Sequence, residues 1–158
     1  MTAVNDRHEI TSYIKHHPVA ILGTVDTHGA PHGAAVYVYA SSLQAVYIVT
    51  KTDTQKFKNI LGNPHVSITI ADPAENSSLQ ITGKAHVVKN EPNVIEMVMQ
   101  NMTKIYTTSP EWLPPIVKLR AGAYQVVSIE VNYARLSEYK GKQPGSTHIF
   151  TELHFNGE

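Results

Sequence analysis

The segment Val46-Tyr-Ile-Val-Thr-Lys-Thr-Asp-Thr-Gln-Lys-Phe-Lys-Asn59 changes its hydrophobic period midway, and the rest of the chain can be placed around that change. Up to Thr50 the residues alternate as a β-strand does. From Thr54, the apolar side chains Phe57, Ile60 and Leu61 recur at helical spacing and point inward, with Gly62 at a natural C-cap position. A buried strand thus runs out into hydroxyls and lysines and then into a helix start. Backbone N–H groups there lack intrahelical acceptors, and the helix dipole favours an anion. Lys51 and Lys56 bring charge, while Thr50, Thr52 and Thr54 bring donors. The same residues also describe a capped surface helix with solvated lysines, and local physics leaves both readings open.

Working outward, Asn5 and Asp6 are good N-caps for a short helix carrying Ile10, Tyr13 and Ile14, stopped near His17 by Pro18. Val19 to Val25 reads as a strand, and the Asp26-Thr27-His28-Gly29 turn returns it as His32 to Ala40. Ala45 to Thr50 completes a three-strand meander. Beyond the central helix come strands over Val66 to Ala71 and Leu79 to Lys89, with Gly83 a bulge or close-approach point. Val94 to Ile105 is the longest expected helix. Thr108 to Leu119, with prolines around Trp112, is expected to be irregular, and Tyr124 to Val131 and Arg135 to Tyr139 are late strands. Ile149 to Phe155 offers an extra strand in a Gly- and Pro-rich tail.

Hairpins dominate and no regular βαβ alternation appears, so the expected fold is mainly β, an antiparallel, Greek-key-like barrel of six to seven strands with peripheral helices. Residues 1–140 form one barrel domain, and 141–158 a tail that adds a strand or serves as a dimer arm.

Composition narrows the function classes. Thirteen basic residues balance thirteen acidic ones, so no global field draws the chain to nucleic acid or to an anionic membrane, and an anion site must be local. The absence of cysteine excludes disulfides and thiolate chemistry. No stretch approaches the ~20 apolar residues of a membrane span, and no apolar signal core precedes the first helix. A soluble cytoplasmic protein is the expectation. The nine histidines show no HExxH or Cys/His spacing, so no metal site is expected. Neither a G-x-S-x-G elbow nor a Gly-rich phosphate loop occurs, and no catalytic side-chain constellation is recognisable.

The run G-x-P-H from Gly29 to His32, the strand Val36 to Tyr39, V-Y-I-V-T with Lys56 and Asn59, N-P-H-V-S from Asn63 to Ser67, and L-Q-I-T-G-K-A from Leu79 to Ala85 occur in this order. Together they resemble the pyridoxamine 5′-phosphate oxidase-like, FMN-binding split barrels. The resemblance spans roughly Pro18 to Val88. It implies a homodimer with FMN sites at the subunit interface. It implies that Lys56 contacts the FMN phosphate, that Thr50, Lys51 and Thr52 line the same corner, and that Ala35, Val36 and Tyr37 meet the isoalloxazine ring. It also places Ser78 and Gln80 near the flavin or its ribityl chain.

The departures carry information too. The true oxidases of the family have an arginine in the second strand and a basic residue before the phosphate lysine. This chain has small residues at the first place and Gln55 at the second, and no arginine follows Arg135. Oxidation of pyridoxamine 5′-phosphate itself is therefore not expected. The resemblance implies an FMN-dependent oxidoreductase acting on a small-molecule substrate. Alternatives on the same barrel are a non-catalytic flavin or haem carrier or sensor, with His65 or His86 as a haem ligand, and a reductase using the deazaflavin F420.

Overall fold

A computed structural model of the chain describes residues 3–108, 123–146 and 149–155. Helix α1 (Ala3–His16) is followed by strands β1 (Val19–Val25), β2 (Pro31–Tyr37), β3 (Tyr39–Ser42) and β4 (Ala45–Lys51). Helix α2 (Gln55–Gly62), strands β5 (His65–Asp72) and β6 (Ser77–Val87), and helix α3 (Pro92–Thr108) come next. The long strand β7 (Tyr124–Glu138) and β8 (Phe150–His154) complete the described chain.

All pairings are antiparallel, and the sheet order is β2-β1-β5-β6-β7-β4-β3, with β8 on the free side of β7. β2 and β3 stand at opposite ends of that order yet are separated in the chain by Val38 alone. The run predicted as one strand from His32 to Ala40 is therefore bent. Its first half pairs with β1 and its second with β4, so a single chain segment closes the sheet into a barrel. At the bend the Val38 N–H leaves the ladder and donates to the Pro18 carbonyl at 2.8 Å.

Inside the barrel the alternating side chains Leu22, Val46, Ile48, Leu79, Val127 and Ile129 are fully buried. Ile10 and Ile14 of α1 join the same core beside Leu43 and Leu153, so α1 packs onto the barrel core near β3 and β8. α3 instead lies on the outside, where Val98 and Met102 pack with Tyr37, Val88 and Val126 in a second cluster.

The structure departs from the sequence reading at four points. α1 begins at Ala3, so Asn5 and Asp6 lie in its first turns rather than capping it, where the Asp6 carboxylate favours the positive end of the dipole. Leu61 is 64% exposed, because α2 meets β1 through Asn59 and Ile60 and the next residue turns ~100° away. The two late strands are one. Thr82 faces Tyr133 and Gly83 faces Val131, which leaves Asn132 as a bulge that interrupts the alternation. Gly83 lies at that same bulge, and a Cβ on it would run into the Glu130 carbonyl. Finally, Gly62 is the last helical residue and Asn63 is the C-cap. Trp112 and most of the segment expected to be irregular lie outside the described residues.

Candidate functional site

At the strand-to-helix corner, Thr54 takes extended backbone angles as the N-cap of α2, and its hydroxyl accepts from the Phe57 N–H at 3.4 Å. The same hydroxyl donates to the Lys51 carbonyl at 2.8 Å and lies 3.1 Å from Thr50 Oγ1. Thr50 is wholly buried, so its hydroxyl serves the corner's own framework. The first-turn N–H groups of Gln55 and Lys56 precede any intrahelical acceptor, and no acidic residue occupies that turn.

Lys56 is half-buried, and desolvation pulls its ammonium below the usual lysine range. It makes no ion pair among the described residues. Burying a cation without a counter-charge is costly, and an anion held at the helix start would offset that cost. Lys51 is only 4% exposed, and its Nζ sits 5.6 Å from the centroid of the Tyr124 ring, its cross-strand partner. Thr52 is half-buried and Gln55 exposed. The Gln55 amide donates to Asn59 Oδ1 at 2.8 Å, and the buried Asn59 donates to Thr24 Oγ1 at 3.0 Å. That chain bolts α2 to β1 and fixes where the helix start points.

The ring-contacting segment expected on β2 splits by strand parity. Val36 points into the barrel and is 6% exposed. Tyr37 points outward beneath α3, where burial raises its phenol pKa, and its ring meets Tyr106 edge-to-face at 5.1 Å. Ala35 is exposed on the outer sheet face, in a lateral row with Ile21, Thr69 and Gln80.

Ser78 and Gln80 pair with a different stretch of β7 from the corner residues. Lys51 faces Tyr124 at one end of β7, whereas Gln80 faces Arg135 and Ser78 faces Ser137 near the other. Thr50, Lys51, Thr52, Gln55 and Lys56 thus share the corner, whereas Gln80 lies on the outer sheet face in one row with Ala35, three strands across, and Ser78 is two residues further along β6.

Two residues near the corner escaped the sequence reading, Tyr106 and Tyr124. Tyr106 continues the buried stripe of α3 one turn beyond Met102, a helical-spacing signal that could have flagged it. Tyr124 reaches Lys51 only through the β4–β7 pairing, which no local pattern announces.

The polar cluster on α1 is framework. The ring nitrogens of His17 lie 2.9 Å from the Tyr13 carbonyl and 2.8 Å from Asp72, whose carboxyl is held low chiefly by that bond. The Tyr13 hydroxyl is 2.8 Å from Ser77 Oγ. No group of three or more His, Asp or Glu side chains able to hold a metal ion occurs among the described residues. No helix among them is long and apolar enough to cross a membrane.

Residues 7–138 match the family model for pyridoxamine 5′-phosphate oxidase. No curated protein matches significantly. Among solved structures, the chain resembles a Clostridium acetobutylicum protein of the pyridoxine phosphate oxidase family, related to general stress protein 26. That pair shares 14% identity at a TM-score of 0.65, covering 93% of this chain and 92% of the other. A pyridoxamine 5′-phosphate oxidase-related, FMN-binding protein from Nostoc punctiforme gives 12% identity and 0.63, covering 99% of this chain and all of that one. The heme storage protein HutZ from Vibrio cholerae gives 18% and 0.56, covering 78% and 88%. At these identities the structural likenesses speak to the fold alone.

Proposed function

Because this chain belongs to the pyridoxamine 5′-phosphate oxidase family, we propose that it binds FMN, with the phosphate at the β4–α2 corner, and acts as a flavin-dependent oxidoreductase on a small-molecule substrate. The observation that carries this reading is Lys56, a desolvated ammonium in a first helical turn that holds no acidic residue, with no ion pair among the described residues. The donor set suits a phosphate monoester. Lys56 supplies a loosely constrained point charge, the Gln55 and Lys56 N–H groups supply directional donors, and Thr52 a hydroxyl. A bound flavin supplies hydride and electron transfer at its ring, and the chain's own task is binding and orientation. No side chain need act as acid or base. Ala34 and Ala35 stand on the second strand in place of a basic residue, which fits a substrate other than pyridoxamine phosphate.

A homodimer belongs to the same proposal. The face around Ile21 and Ala35 is exposed, and a second copy seated on it would also face Gln80 in the same row. Carriage of haem is the second reading, and the likeness to HutZ is what favours it. The test is the visible spectrum of the purified protein, followed by titration with FMN, F420 and hemin. A yellow protein, or saturable FMN binding at micromolar concentration, is the expected result. Saturation by hemin alone would move the assignment to haem carriage, and binding of F420 in preference to FMN would move it to a deazaflavin. Binding of none would end the cofactor reading.

A further inference from the structure

Tyr106, Tyr37 and Tyr124 come from α3, β2 and β7 and cluster together, with Tyr124 beside Lys51. Tyr37 and Tyr106 meet edge-to-face, with ring centroids 5.1 Å apart and planes at 77°. Tyr124 stands opposite Lys51 in the β4–β7 ladder, with the ammonium 5.6 Å from its ring centroid. Tyr106 senses both neighbours. Burial first, then the Tyr37 and Tyr124 phenols, push its ionisation up to about 12. The group is thus a neutral O–H donor across the physiological range. Tyr106 is partly buried, and its hydroxyl makes no hydrogen bond among the described residues and is not sealed inside the core. Tyr124, by contrast, is 44% exposed and stands next to Lys51.

We propose that Tyr106 and Tyr124 recognise the conjugated ring of the ligand whose anionic group sits at Lys56. Tyr124 offers an aromatic face, and Tyr106 donates its hydroxyl to a ring carbonyl or nitrogen. The ligand class is a planar, conjugated heterocycle that carries acceptor atoms and an anionic tail. This rests on the cofactor-binding reading and adds to it the residues that select the ring. A purely structural role predicts something different, since Tyr106→Phe keeps the edge-to-face packing and removes only the donor.

The experiment uses the full chain and two probes, FMN and riboflavin, followed by flavin fluorescence and by the visible absorption band. Tyr106→Phe should weaken both probes alike by about 3- to 10-fold, the cost of one lost hydrogen bond, and shift the band without changing the thermal midpoint. Tyr124→Leu should weaken both by about tenfold and relieve part of the fluorescence quenching of the bound flavin. Tyr124 is partly exposed, so this second variant keeps the test valid even if Tyr106→Phe fails to fold. If both variants bind and quench as wild type does while Lys56→Ala loses FMN, the ring assignment is wrong and the phosphate site stands. If the wild-type chain binds neither flavin, both readings fall.

Discussion

The outer face of the sheet is covered on one side and bare on the other. Where β3, β4 and β7 turn outward, the side chains are Tyr39, Tyr47, Val49 and Val126, and α3 lies over them with Val98 and Met102 fully buried. Where β2, β1 and β5 turn outward, the residues are Gly33 and Ala35, Gly23 and Ile21, and Ser67, Thr69 and Ala71, with no helix above them among the described residues. Both halves show the same period-2 alternation and the same filled interior. The difference lies only in the size and charge of the outward set. Large apolar residues mark a face that its own chain covers. The second set is small and uncharged, with Ile21 still 48% exposed, and lacks the lysines that usually guard an open sheet. Such a face suits a flat partner, which is why a second copy is proposed there.

The largest expected effect lies on the covered side. Met102→Ala should cost ~2–5 kcal/mol in chemical unfolding, because the second cluster cannot collapse around the lost side chain. A loss under ~1 kcal/mol would mean that α3 is loosely seated and the two halves are alike. On the bare side, Ile21→Arg should leave the folding stability of the dilute chain within ~0.5 kcal/mol and lower the mass in solution from two copies to one. Light scattering reads this directly, and an unchanged dimer would place the interface elsewhere.

The smallest effect concerns the β1–β2 hairpin, whose turn depends on Asp26. Its carboxylate accepts from the His28 and Ala30 N–H groups and pairs with His32, which together lower its pKa from 3.8 to about 2. The folded value is the lower one. Its contribution is therefore complete above the ordinary carboxylate range near 3.8 and is lost as pH falls through about 2. Amide exchange at Gly29 and Ala30 should accelerate over that window in wild type, and Asp26→Asn should abolish the pH dependence.

Much of this was legible in the sequence because it is local. Alternation gave β1, β4, β5 and β6 nearly to the residue, and the period change at Thr50 located α2 and the lysine corner. What escaped depends on pairing. The bend at Val38 was hidden because both halves of the run alternate correctly, and only the ladders show that they join different neighbours. Asn132 made one strand look like two because a bulge shifts the buried positions from Val131 to Ala134. In the site, Lys56 was visible from its place in the first turn, whereas the row that joins Gln80 to Ala35 follows only from strand pairing. The approach of Tyr124 to Lys51 has the same origin, since residues far apart in sequence are matched only by the sheet.

The central claim is that the β4–α2 corner grips a phosphate through Lys56, and comparison of FMN with riboflavin on wild type and Lys56→Ala tests it most directly. Riboflavin shares the ring and lacks the phosphate. Removing a charged hydrogen-bond partner should weaken FMN by about 10- to 100-fold and leave riboflavin unchanged, so that the variant no longer distinguishes the two. Equal FMN affinity in wild type and variant, or equal loss for both ligands, would contradict the account.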